Sequence, residues 1–296
     1  MNLAIALSLA AALLFAVASV LQQRGTTTIA DDDALGAGMV ASLFRRPVWV
    51  AGIVADVAGF GVQAAALAVG SLLLVQPILV TTLLFALPLA ARANRRRLAV
   101  EEWAWSGLLI CCLALFVRVG EPTAGLDRPP FESWLPALVI CIPLVGGCIV
   151  AAGSLPHGSR RSLVLAVAAG VLLGLSAPLT KSAVDGFGGG FVDGLRTWEL
   201  WGMAITATLG TFWQQSSYQA GDVQTSLPTV TVLKPVIAMA LGLSAYQERL
   251  DIGEVTDLLL LASVIGMVAA TVALGRLAAP TLEAAVPPEV SPAPPR

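Results

Sequence analysis

Long apolar runs broken by short polar intervals organise this chain from its first residues. A helix that crosses a bilayer needs about 20 mostly apolar residues. Nine segments meet that condition: 3–21, 48–69, 71–91, 103–119, 134–152, 163–181, 199–218, 225–246 and 257–275. The intervals carry turn and loop residues: Asp31, Asp32 and Asp33 with Gly36 and Gly38, then Arg92 to Arg97, Glu121 to Pro130, and Gly186 to Gly190. From Pro280 onward the chain is Pro-rich and is expected to be a disordered tail. The first run has no Lys or Arg ahead of it, and Arg24 follows it. A signal peptide has its basic residues first, so the run reads as a retained helix. The expected fold is all-α, a polytopic membrane helical bundle.

Internal similarity sharpens that picture. Gln63, Gly70 and Pro77 recur 151 residues later as Gln214, Gly221 and Pro228. With a slip of one residue, Arg97-Leu98 meets Arg249-Leu250 and Glu102 meets Glu254. Segments two to four thus fall on segments seven to nine, segment one falls on segment six, and segment five has no counterpart. Repeats five crossings apart have opposite orientations in the bilayer, the inverted arrangement of many secondary transporters. The expected organisation is a first repeat over 1–152, a second over 153–279 that lacks a tenth helix, and the tail over 280–296.

Composition supports lipid as the main solvent. Hydrophobic residues make up 57% of the chain and charged ones 12%, against roughly 25% charged in soluble proteins. Mean hydropathy is +0.83. No dense basic surface exists for nucleic acid. Basic residues favour one side. Arg24, Arg45, Arg46, Arg92, Arg95, Arg96, Arg97, Arg160, Arg161 and Arg276 fall on it, and Arg118, Arg128, Lys181, Arg196 and Arg249 on the other. The first set is expected to be cytoplasmic, with the N-terminus outside the inner (plasma) membrane and the C-terminus inside. Cys111, Cys112, Cys141 and Cys148 lie in apolar runs without metal-ligand spacing and read as small hydrophobes. His157 is the only histidine and lies in a loop, which leaves no catalytic constellation; no cofactor is expected, and the protein does not read as an enzyme.

Two stretches resemble the drug/metabolite transporter (DMT/EamA-like) superfamily. The first is Ala68-Val69-Gly70-Ser71-Leu72-Leu73-Leu74-Val75-Gln76-Pro77. The second runs from Leu233-Lys234-Pro235 to Gln247-Glu248-Arg249-Leu250, similar to the superfamily's helix ending in Glu-Arg/Lys-Leu. Nine spans entering from outside are most similar to its NIPA-like branch, which implies magnesium among the substrates to consider. The first copy departs from the pattern, since Asn94-Arg95-Arg96-Arg97-Leu98 has no glutamate where the second has Glu248.

Polar residues inside the spans mark candidate chemistry. An ionisable group at the bilayer centre costs about 2.5–3.5 kcal/mol on insertion scales, so it is usually paired or functional. Asp56 and Lys234 lie at similar depth in their spans, counted at about 1.5 Å per residue. They are expected to face one interior cavity, as a static pair or as partners of a substrate or proton. Gln63 shares a helix face with Asp56, and its counterpart Gln214 shares one with Tyr218. Gln76 precedes Pro77 as Lys234 precedes Pro235, and proline frees carbonyls that can line a cavity. Asp56, Gln63, Gln76, Gln214, Tyr218 and Lys234 are therefore the candidate substrate-binding residues. No metal ligand set is assigned, although Glu199 could join Asp56 toward a cation. Lys181, four residues before Asp185, reads as an interfacial snorkelling pair. The leading expectation is a carrier for a small metabolite or a divalent cation such as magnesium, with the lipid bilayer as its other partner. The alternative is a non-transporting membrane scaffold or assembly subunit, and a homo-oligomer stays open in either case.

Overall fold

The computed structural model describes residues 1–26, 46–93, 95–221, 223–250 and 254–283. Among them the chain is helical, apart from one isolated bridge between Thr123 and Arg249. The helices are α1 (Asn2–Thr26), α2 (Pro47–Val69), α3 (Leu72–Leu79), α4 (Thr82–Ala93), α5 (Val100–Gly120), α6 (Phe131–Ser154), α7 (Ser159–Gly186), α8 (Phe191–Arg196), α9 (Trp198–Ala220), α10 (Val223–Ser244) and α11 (Glu254–Glu283). The acidic first loop and residues 284–296 of the expected tail lie outside the described residues, and α11 itself runs past Pro280 to Glu283.

Every predicted span is helical. Eight helical stretches among the described residues are long and apolar enough to cross a membrane, with α3 and α4 counted as one. The seventh predicted span, α9, has the length without the apolarity, because Gln214, Gln215, Ser216, Ser217, Tyr218 and Gln219 crowd its last turns. Its outer face is still apolar: Trp201, Ile205, Leu209 and Phe212, spaced by four, four and three, are all exposed. Other helices also turn large apolar side chains outward, including Val139, Ile140 and Ile142 of α6 and Leu258, Leu261 and Ile265 of α11. Water would not tolerate such a surface, whereas hydrocarbon does. The protein is a membrane-embedded helical bundle.

The central post is α7, buried along most of its length. Small residues set its close contacts. A Cβ on Gly210 of α9 would stand 2.8 Å from Leu173 Cγ of α7, and one on Gly174 of α7 would stand 2.6 Å from Ile237 Cβ of α10, so only glycine lets these helices approach so near. The same device joins α1 to α2, where a Cβ on Gly59 would stand 2.9 Å from the Phe15 ring. Around the post, α10 packs on α7 and on α3, α11 packs on α5, α4 and α10, and α6 packs on α7.

Contacts between loops define two ends. At the Met1 end, Gly70 sits against Ala4, Arg128 meets Glu199, and Thr123 pairs with Arg249. At the opposite, arginine end, Arg24 donates to the Ala93 carbonyl and the Gly158 amide donates to the Ala220 carbonyl at 2.7 Å. Helix α9 therefore runs antiparallel to α7 over the same length.

Candidate functional site

A cavity of about 360 Å³ lies among α1, α3, α4, α7, α9, α10 and α11. It begins at Gln76, Lys234 and Pro235 in mid-bundle and reaches Ala90, Arg96 and Ala278 at the arginine end. Arg96 is partly exposed, so the cavity meets the surface there. The local cause of one wall is the interruption between α3 and α4. Helix α3 runs through Pro77 to Leu79, and beyond it the backbone tightens into three-residue turns, with Val80 N on Pro77 O and Thr81 N on Ile78 O. The Thr81 and Thr82 hydroxyls donate to the Ile78 and Leu79 carbonyls, which satisfies acceptors at the break.

Three of the six candidate residues line this cavity: Gln76, Gln214 and Lys234. Gln76 is 2% exposed, and its side-chain nitrogen has no hydrogen-bond partner. Gln214 donates from Nε2 to the Tyr218 hydroxyl at 2.7 Å, so Tyr218 supports the wall without forming it. Lys234 makes no direct ion pair among the described residues; its Nζ lies over the Phe15 ring, 6.0 Å from the centroid. Asp56 lies outside the lining and makes no direct ion pair with Lys234. Gln63 is also outside it, buried on α2 with its carbonyl oxygen unpartnered.

The Met1 end of the bundle is closed by a group that sequence reasoning had placed otherwise. Lys181 does not snorkel with Asp185. It is buried, and its Nζ donates to Glu248 Oε1 at 2.8 Å. The Glu248 carboxylate also accepts the Leu72 and Leu73 amides, at 2.8 and 2.9 Å, so it caps the N-terminus of α3. Above it the Tyr246 hydroxyl bonds Ser182 and the Pro178 carbonyl, and burial pushes its pKa up, which keeps the phenol a neutral donor. Trp134, Tyr246, Leu72, Val75 and Leu241 pack round this cluster as an apolar plug. The signal was available in part: a lysine at the edge of an apolar span needs a partner, and Glu248 is the acidic residue of Glu248-Arg249-Leu250.

Two further pairs lie nearer the ends. Arg96 grips Glu102 through two bonds of 2.9 and 2.8 Å, and Glu102 also accepts the Ala99 amide at the start of α5. Arg128 holds Glu199 in the same bidentate way, at 2.7 and 3.0 Å, so Glu199 is not free to join Asp56. Each hydrogen-bonded carboxylate raises the pKa of its arginine and secures the charge. Among the described residues no group of three or more His, Cys, Asp or Glu side chains could hold a metal ion.

No family profile matches the chain, and no solved structure matches it. An uncharacterized protein of Corynebacterium glutamicum is 34% identical over 275 residues, a stretch that spans 93% of this chain and 95% of that protein. The chain, a membrane-embedded helical bundle, belongs to the same family as this corynebacterial protein.

Proposed function

We propose that the protein is a multi-pass carrier that moves a small solute across the inner (plasma) membrane by alternating access between two inverted halves. The observation that carries this reading is a mid-bundle cavity that reaches the arginine end, with a buried ionic cluster in the bundle toward the Met1 end. A binding pocket with one gate shut is the geometry a carrier needs in one half of its cycle.

The packing supports two related halves. Gly59 and Gly210, 151 positions apart, each admit the first helix of their own half, α1 or α7. Gly70 and Gly221 stand at the same offset, and each sits where the chain leaves a helix against the start of that first helix, beside Ala4 or Gly158. On this reading α9 is a true crossing, nine crossings make the bundle, and α6 is the unpaired fifth helix of the first half. The layout is consistent with a drug/metabolite-type transporter of NIPA-like topology. The arginine end faces the cytoplasm, and the cavity is then open inward.

Side-specific labelling tests the reading. In a chain with Cys111, Cys112, Cys141 and Cys148 replaced by Ala, a cysteine at Leu83 in the cavity wall should react with a membrane-impermeant thiol reagent from the cytoplasmic face. Adding Lys181→Met with Glu248→Gln removes both charges of the closed gate together. That variant should gain labelling from the outer face. Labelling that stays one-sided, or no labelling from either face, would identify a static scaffold.

A further inference from the structure

Among the described residues, the charges that face the cavity are of one sign: Lys234 and Arg96 line it, and no described carboxylate does. Their acidic neighbours stand behind them: Glu102 is bound to Arg96 on the side of α5, and Asp56 lies on α2 outside the lining. The Lys234 ammonium is the less satisfied of the two, with an aromatic ring beneath it and no direct hydrogen bond or ion pair among the described residues. In the same lining the Gln76 amide is buried, and its nitrogen has no partner among the described residues. A half-buried cation and a buried amide each leave hydrogen-bonding capacity unused at a cost, and a bound group could take up both.

The remaining wall is largely apolar, with Phe15, Leu79, Leu83, Leu87 and Val230 prominent. A hydrated divalent cation would find there two positive charges, no carboxylate and no reason to shed water. An amine would meet like charge. We infer that the cavity takes a small organic anion: a carboxylate or similar head group paired with Lys234 and the Gln76 amide, and an apolar body against the α4 and α10 walls. The volume falls in the range of small-molecule sites, about 300–1,000 Å³. This assignment rests on the carrier reading for its biological sense, although the binding chemistry stands without it.

Charge-matched probes separate the possibilities. Purified full-length protein is tested by thermal shift against phenylacetate, hexanoate and indole-3-acetate, the related amines phenethylamine, hexylamine and tryptamine, phenylacetamide, and Mg²⁺. The carboxylates should stabilise the protein, and the amines, the amide and Mg²⁺ should not. Lys234→Met should weaken carboxylate binding by about tenfold or more, the value of a lost charge-assisted hydrogen bond. Gln76→Leu, which leaves the charge in place, should weaken it by a smaller factor. Stabilisation by the amines or Mg²⁺, equal binding of phenylacetamide, no stabilisation by any probe, or unchanged carboxylate binding in Lys234→Met would each overturn the inference. Counterflow in proteoliposomes separates it from the carrier reading. Carboxylate binding without counterflow keeps the anion site and sinks the carrier; counterflow of an amine or Mg²⁺ keeps the carrier and sinks the anion site.

Discussion

At the scale of single residues, Glu248 carries the most structure. One carboxylate satisfies a buried lysine and two amides at a helix start, and all of its partners lie far away in sequence. Removing only the acid leaves the Lys181 ammonium buried and unpaired, which typically costs about 3–5 kcal/mol. Glu248→Leu should therefore lower unfolding stability by that amount, whereas Lys181→Met with Glu248→Gln should cost much less. Reversible unfolding in mixed micelles would measure the difference, and equal losses in the two variants would refute the assignment. The sequence displayed both residues, and the motif ending in Glu248 was recognised. Their pairing was hidden because Lys181 has an acidic residue, Asp185, one helical turn away. Local spacing offered a nearer partner than the fold did.

At the scale of elements, apolar runs located the spans well, because hydrocarbon demands the same length and composition of every crossing. What the pattern could not resolve was the internal shape of the third run. It reads as one span and folds as α3 and α4, because the three-residue turns at Val80 and Thr81 are a matter of backbone hydrogen bonds that hydropathy does not register. Gly59 and Gly210 stand out by no sequence pattern, and their purpose appears only in the packing of α1 on α2 and α7 on α9. Gly59→Ala should destabilise by about 1–3 kcal/mol through overpacking, and Phe15→Ala should relieve part of that loss. A double-mutant cycle read by thermal unfolding should give coupling of about 0.5–3 kcal/mol. Zero coupling would show that the ring and the glycine do not constrain one another.

At the scale of the whole molecule, the candidate site was half legible. Gln76, Gln214 and Lys234 stand out in the sequence and meet at one cavity; Asp56, Gln63 and Tyr218 lie outside its lining. Counting depth along a helix places a residue between the two membrane faces but not around the helix axis, so it does not tell which residues line a cavity. The cationic bias of the lining was equally invisible, because the neutralising carboxylates lie on α2 and α5, helices that the cavity does not touch.

The two arms of the bundle differ in one respect that bears on the state not seen. The first arm is jointed between α3 and α4 at Val80–Thr81, whereas α10, its mate on the proposed repeat, runs unbroken through Pro228 and Pro235. If the halves trade shapes as the cavity changes sides, the joint migrates. The first arm would straighten, and α10 would bend at the corresponding Thr231–Val232. Spin labels placed across each joint should then report opposite changes in the outward-facing protein, and parallel changes would rule out the exchange. On the proposed carrier cycle, the asymmetry of the present shape is a template, read in mirror order, for the conformation that faces the other side.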